Sequence, residues 1–311
     1  MNYLEITIET TPAEIEDVAA ALTAGGFAEL IIEDQQEFES FLEENKAYWD
    51  YIDEELQAKM EGLSCIKLYL QDTDTQGLSR LRALTEKLSV PMAVATLAET
   101  NWEDSWKENY PPQLIGKKLI VLPYWLENPD ENRLPVILDP GLTFGTGAHP
   151  STQMVLEAME ENIHSDSVCL DLGSGSGILS IAALRLGAKS AIGVDIDPKA
   201  EDIARENAAY NGFSAPQFTA LTGNVTADKK LMTRLMEQEY DVVLVNIVAD
   251  VICALAPVLP QFLTDKSILI CSGILDTRLA DVLEALKKSG LTVTEIRQKE
   301  DWRCVCARKQ A

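Results

Sequence analysis

Hydrophobic and polar positions follow two regimes along the chain, and the change falls near Leu119. The first regime is amphipathic. Tyr3-Leu4-Glu5-Ile6-Thr7-Ile8 alternates with period two, which puts Leu4, Ile6 and Ile8 on one face of a strand. Thr11-Pro12-Ala13-Glu14 then reads as a helix start, with Thr11 capping, Pro12 at the first helical position and Glu14 closing a capping box. Gly25-Gly26 stops that helix. A short strand near 29–33, a strand at 65–70, a helix at 75–88 and a strand at 91–97 follow. The order β-α-β-β-α-β predicts a small ferredoxin-like α+β domain over residues 1–97. An insertion of helical, acid-rich composition, residues 34–62, separates its halves. Residues 98–132 read as a linker with a connecting helix or strand. Within it Trp102 and Trp106 fall on one helix face, positioned to pack between domains.

The second regime is strand-like runs that are apolar throughout, alternating with helical patterns. The strands are 168–172, 190–195, 240–246 and 267–272; the helices are 180–186, 198–211, 252–263 and 277–289. Continuously apolar strands predict a parallel sheet covered on both faces, hence a doubly wound α/β domain over residues 133–311. The segments 291–298 and 302–307 predict an antiparallel hairpin on its edge. No internal repeat or low-complexity segment interrupts the pattern.

Composition sharpens this picture through charge. The 311 residues carry 26 Lys and Arg against 50 Asp and Glu, a formal net of −24. Residues 1–60 hold 16 of those acids against Lys46 and Lys59, so over half of the surplus lies in the first fifth of the chain. A surface that grips a phosphate backbone needs the opposite sign, which argues against direct binding of nucleic acid. A basic protein fits better, and a purely solubilising surface is the alternative. No run approaches the roughly 18 apolar residues of a membrane span, and the start of the chain lacks the basic-then-apolar pattern of a signal peptide. Cys65, Cys169, Cys253, Cys271, Cys304 and Cys306 form no C-x-x-C pair, and His149 and His164 are the only histidines. Zinc ligand spacing is therefore missing, and reduced, buried thiols of a cytoplasmic protein are expected.

The chemistry concentrates at strand ends. Val168-Cys169-Leu170-Asp171-Leu172 runs into Gly173-Ser174-Gly175-Ser176-Gly177 and then a helix. A dinucleotide turn spaces its glycines G-x-G-x-x-G. Here they stand at 173, 175 and 177, with Ile178 next. This Asp-x-Gly-x-Gly-x-Gly form resembles the first motif of class I S-adenosylmethionine-dependent methyltransferases, and that resemblance implies S-adenosyl-L-methionine as cofactor. A second apolar strand ends in Asp195, 24 residues after Asp171, and a carboxylate there can accept both ribose hydroxyls. Asp197 before Pro198 reads instead as a helix cap. A third strand ends in Asn246, whose amide oxygen can accept hydrogen bonds from an amine and aim its lone pair; a plain strand terminator is the alternative.

A fourth element, Leu138-Asp139-Pro140-Gly141-Leu142-Thr143-Phe144-Gly145-Thr146-Gly147-Ala148-His149-Pro150-Ser151-Thr152, reads as a loop, with Ser151-Thr152 capping a helix over 153–161. With Trp102/Trp106-Lys107, Pro123-Tyr124-Trp125, Asn246-Ile247-Val248-Ala249, Ser272-Gly273-Ile274-Leu275 and Trp302 to Lys309, it resembles the PrmA family, bacterial methyltransferases of large-subunit ribosomal protein eleven. The resemblance runs from about Trp102 to Lys309 and is one of architecture alone in the first domain. It implies N-methylation of lysine or N-terminal amines of that ribosomal protein by a cytoplasmic monomer. It places cofactor contacts at Thr152, Gly173, Asp195 and Asn246, with Phe144, Thr146 and Gly175 beside them and Asn246 as the catalytic residue. The adenine edge is expected around Thr222-Gly223-Asn224. Ala148 and Ser151 depart from the family's usual threonines, and the insertion 34–62 has no counterpart role. Other readings keep the cofactor and change the acceptor, to another protein or a small-molecule amine, or reduce the chain to an assembly-factor-like binding protein. His149 as a general base is disfavoured, because transfer from a sulfonium to a neutral amine needs alignment more than proton removal.

Overall fold

A computed structural model describes residues 3–27, 30–35, 64–97, 110–140 and 147–310. The chain divides into two compact units, Met1–Tyr110 and Pro111–Ala311. The first holds β1 (Tyr3–Glu9), α1 (Ile15–Ala24), β2 (Ile31–Asp34), β3 (Ser64–Gln71), α2 (Thr75–Leu88) and β4 (Met92–Leu97). Their order and the antiparallel sheet β2-β3-β1-β4 make the ferredoxin-like arrangement. Alternation does the folding. Ile6 and Ile8 of β1 and Ile66 and Leu68 of β3 bury against Ile15, Val18 and Leu22 of α1 and Leu81 of α2. On the other face Tyr69 donates to Glu5 at 2.8 Å and Lys67 pairs with Glu33 at 2.7 Å.

One local detail differs from expectation. Helix α1 starts at Ile15, because the Thr11 hydroxyl donates to the Glu14 carboxylate at 2.9 Å, which leaves the expected capping box unformed. In contrast α2 is capped as chemistry prescribes, Asp74 accepting the Gly77 N–H at 2.8 Å. Most of the acidic insertion, and Trp102 and Trp106, lie outside the described residues.

The second unit opens with a three-stranded sheet, β5 (Gln113–Ile115), β6 (Leu119–Pro123) and β7 (Leu134–Leu138). Strands β5 and β6 fall in the segment 98–132 expected as a linker with a connecting helix or strand, and Leu119, Val121, Val136 and Leu138 sit in the unit's core. Glu160 ties them down: its carboxylate accepts the N–H groups of Lys117, Lys118 and Leu119 at 2.8, 2.7 and 3.0 Å.

The main layer follows: α3 (Pro150–Asn162), β8 (Val168–Leu172), α4 (Ile178–Arg185), β9 (Ser190–Asp195), α5 (Pro198–Tyr210), β10 (Phe218–Thr222), α6 (Lys229–Leu235), β11 (Tyr240–Asn246), α7 (Ala249–Leu255), β12 (Leu263–Leu275), α8 (Leu279–Lys288), β13 (Leu291–Lys299) and β14 (Trp302–Lys309). The seven strands lie in the order β10-β9-β8-β11-β12-β14-β13, all in one direction except β14, which runs antiparallel to both its neighbours. Both faces are buried. Along β11, Val242 and Leu244 enter one core while Val243 and Val245 enter the other, which is why its run is apolar from 242 to 245 rather than alternating. Among the described residues no helix is long and apolar enough to cross a membrane.

Candidate active site

The sheet register brings three candidate residues to one level. Leu172 of β8 pairs with Val194 of β9 and with Val245 of β11. The next residues along these parallel strands are Gly173, Asp195 and Asn246. With β8 in the middle, they leave the sheet side by side at spacings of about 5 Å. Winding reverses between β8 and β11, so this edge is the crevice where open α/β sheets bind ligands.

The glycine turn is held from behind by the backbone of its neighbours. The N–H groups of Gly173 and Ser174 both donate to the Val194 carbonyl, at 2.8 and 3.1 Å, and Gly177 donates to Ser174 at 2.8 Å. Gly173 has φ +79°, and a Cβ there would lie 2.3 Å from Ile247 Cγ2. Ile247 is confined from β12 as well, since a Cβ on Gly273 would lie 2.4 Å from the Ile247 carbonyl oxygen. The segment that carries Asn246 is thus packed closely against glycines of both neighbouring strands.

Asp195 is half-buried, and backbone donors fix its carboxylate. Oδ2 accepts the Gly175 N–H at 2.8 Å and Oδ1 accepts the Asp197 N–H at 3.0 Å. Each oxygen retains a lone pair, so the group can still accept two hydroxyls. Asp197 caps α5 through the Lys199 N–H at 2.9 Å, which separates the two carboxylates by role. Thr222 pairs with Asp195 in register, and the Gly223 N–H donates to the Asp195 carbonyl at 2.8 Å.

Asn246 meets Thr152. Thr152 is fully buried in the first turn of α3, and its Oγ1 accepts the Asn246 Nδ2–H at 3.1 Å. That bond sets the rotation of the amide. Asn246 Oδ1 is then buried with no hydrogen-bond partner among the described residues. An acceptor left in that state costs about 1–3 kcal/mol, so its persistence marks a place prepared for a donor.

Two further groups surround this edge. Asp171 is fully buried in β8, and burial pushes its carboxyl up to about 7 against the hydrogen bonds from Ser180. Its Oδ2 accepts both the Ser180 N–H (3.1 Å) and the Ser180 hydroxyl (2.8 Å). His149 caps α3, Nδ1 accepting the Ser151 N–H at 3.3 Å and meeting Ser151 Oγ at 2.7 Å. The cap is therefore His149 rather than the expected Ser151-Thr152. Its ring stands edge-on to Trp302 at 4.5 Å, and burial lowers its pKa below the ordinary histidine value. Its Nδ1 is engaged by the Ser151 N–H at the helix end, a capping role.

The structure brings Thr152 to Asn246, Gly175 to Asp195, and Gly173 to the segment after Asn246. Phe144 and Thr146 lie outside the described residues. Among the described residues no cluster of His, Cys, Asp and Glu could hold a metal ion. Sequence reasoning missed Asn207. It is fully buried, donating to the Ser176 carbonyl at 2.8 Å and accepting the Asp139 N–H at 2.8 Å. A signal existed: Ala200, Ala204, Asn207, Ala208 and Asn211 form the buried stripe of α5 and its end, and asparagine is the odd residue in such a stripe.

Comparison with known proteins follows this geometry. The family model "Ribosomal protein L11 methyltransferase (PrmA)" matches residues 2–310. A ribosomal protein L11 methyltransferase of Heliobacterium modesticaldum is 36% identical over 99% of this chain and 98% of the relative. One from Alkaliphilus oremlandii is 32% identical over 99% of both. The crystal structure of a ribosomal protein L11 methylase from Lactobacillus delbrueckii subsp. bulgaricus matches with a TM-score of 0.58 and 28% identity, over 65% of this chain and all of that one.

Proposed function

The chain belongs to the ribosomal protein L11 methyltransferase family, and from that membership we propose that it methylates amino groups of large-subunit ribosomal protein L11 in the cytoplasm. It is an S-adenosylmethionine-dependent protein N-methyltransferase. The acceptors under this proposal are lysine side chains or the N-terminal α-amine. The enzyme works as a monomer, without direct contact to nucleic acid or a membrane.

The residues at the strand ends fit the cofactor on two counts. Asp195 keeps a lone pair on each carboxylate oxygen for the ribose hydroxyls, and Asn246 beside it keeps a buried acceptor unpaired where the reacting groups would meet. Thr152, Gly173, Gly175, Asp195 and Asn246 would hold it, Asp195 on the ribose hydroxyls, with Phe144 and Thr146 beside it. S-adenosylmethionine supplies, when bound, a methyl group made electrophilic by its sulfonium. The chain's own contribution is alignment. Asn246 Oδ1 accepts an N–H of the incoming neutral amine and turns the nitrogen lone pair toward the methyl carbon. Thr152 prevents the amide from rotating away. Such alignment lowers a barrier without any general base.

The observation that carries this reading is the Thr152–Asn246 pair with its unpartnered Oδ1, level with Gly173 and Asp195. The acidic N-terminal unit would hold the basic ribosomal protein. Incubation with methyl-labelled cofactor and L11 tests the proposal: label should enter L11, and cofactor binding without labelled L11 would overturn it.

A further inference from the structure

Asn207 joins the glycine turn after β8 to the exit of β7 through its side-chain amide. It stands on α5, fully buried, with both ends of its amide used. Nδ2 donates to the carbonyl of Ser176, inside the glycine turn after β8. Oδ1 accepts the N–H of Asp139, the first residue past β7. Four residues on, Asn211 accepts the Ile137 N–H at 3.0 Å and donates to the Ile137 carbonyl at 2.6 Å; it also accepts from the Arg185 guanidinium and donates to the Asn207 carbonyl at 2.7 Å, and none of these bonds reaches the glycine turn.

We propose that Asn207 is a positioning residue for the cofactor turn, fixing the Ser176–Gly177 peptide from behind while anchoring the exit of β7. The physical reason lies in what that peptide controls. Once the Ser176 carbonyl points at α5, the Gly177 N–H on the same peptide plane points the opposite way and closes on Ser174 at 2.8 Å. The turn is then constrained at each accessible polar point of its rear side: Val194 holds Gly173 and Ser174, Asp195 holds Gly175, and Asn207 holds Ser176. Without Asn207 the Ser176 carbonyl loses its donor from α5, and the Ser176–Gly177 peptide is held less firmly from behind. The inference rests on the reading of this turn as a cofactor site. It adds to that reading a residue that touches neither cofactor nor substrate.

The test compares three full-length variants with the wild type, using calorimetric binding of S-adenosylhomocysteine and steady-state methylation of L11. Asn207→Ala removes both bonds. Asn207→Asp is nearly isosteric; it keeps the acceptor for Asp139 and turns the donor at Ser176 into a repelling oxygen. Asn211→Ala removes the bonds to β7, to Arg185 and to the Asn207 carbonyl, and leaves both side-chain bonds of Asn207 in place. Asn207→Ala and Asn207→Asp should each weaken cofactor binding by about tenfold or more, raising KM for the cofactor while KM for L11 stays within about twofold. Asn211→Ala should leave cofactor binding within about twofold of wild type, whatever it does to stability. Wild-type binding of S-adenosylhomocysteine checks the underlying site, and its absence would remove that reading rather than this one. Folded Asn207 variants with unchanged cofactor affinity would overturn the inference. So would equal weakening by Asn211→Ala, or collapse of both Asn207 variants while Asn211→Ala folds, since these outcomes assign Asn207 to stability alone.

Discussion

The two units use their sheets in opposite ways. In the N-terminal unit β1 and β3 bury alternate residues, Ile6, Ile8, Ile66 and Leu68, and keep Glu5, Lys67 and Tyr69 on the other side. In the C-terminal unit β11 buries Val242, Val243, Leu244 and Val245 in succession, into two cores. A sheet open on one face offers area. A sheet closed on both faces offers only the ends of its strands, and Gly173, Asp195 and Asn246 stand there. Ends are also where atoms can be fixed most tightly, because each strand holds its last residue from both sides. Alignment chemistry needs that fixity; recognition of a large, charged protein needs surface and charge.

This contrast predicts a descending series of effects. Asn246→Ala should lower methyl transfer at saturating cofactor by about 100-fold or more, while cofactor affinity falls by less than about tenfold. Equal losses of both would erase the distinction between holding the cofactor and aligning the amine. Gly173→Ala places a Cβ against Ile247 at a positive φ, and should cost about 1–3 kcal/mol in denaturant unfolding. An unchanged midpoint would show that the turn is looser than its geometry.

Asp171 gives a pH-dependent test of how closed the second sheet is. Burial raises its carboxyl from 3.8 to about 7, so the unfolded chain ionises first. The stability it contributes is complete below pH 3.8 and is lost as pH rises toward about 7. Wild-type stability relative to Asp171→Asn should therefore fall across that window, by up to ~1.4 kcal/mol per pH unit, and be level above it. A difference that does not vary with pH would mean the carboxylate is solvated.

The open sheet should respond far less to single changes. Raising salt from low to moderate ionic strength should increase KM for L11 a few-fold while leaving the cofactor constant nearly unmoved. An unmoved KM would return the acidic surplus to solubility. Tyr69→Phe, which removes the exposed bond to Glu5, should change stability by under about 1 kcal/mol.

Local pattern made much of this legible in the chain. Apolar runs announced β8, β9, β11 and β12, and the glycine spacing with Asp195 and Asn246 marked the strand ends. What escaped depends on distant partners or on mixed patterns. Strand β10, Phe218–Thr222, is an edge strand with alternating burial, so it lacks the continuous apolar run of its neighbours. The three bonds from Glu160 reach 41–43 residues back along the chain, and those of Asn207 span 31 and 68, which no window reveals. At α1 and α3 the expected caps differ from the structure: the Thr11 hydroxyl bonds the Glu14 carboxylate, and His149 Nδ1 takes the Ser151 N–H in place of a Ser151-Thr152 cap. Thr152, expected as a cofactor contact, also proved to be the partner of the Asn246 amide, a pairing across 94 residues.

Mapping methyl groups on ribosomal protein L11 after incubation with the enzyme tests the proposed amine alignment at Asn246 most directly. Peptide mass spectrometry of L11 after reaction with S-adenosylmethionine should find them on lysine side-chain or N-terminal nitrogens, in wild type and hardly at all in Asn246→Ala. Methyl groups on carboxylate or sulfur atoms, or undiminished nitrogen methylation by Asn246→Ala, would contradict it.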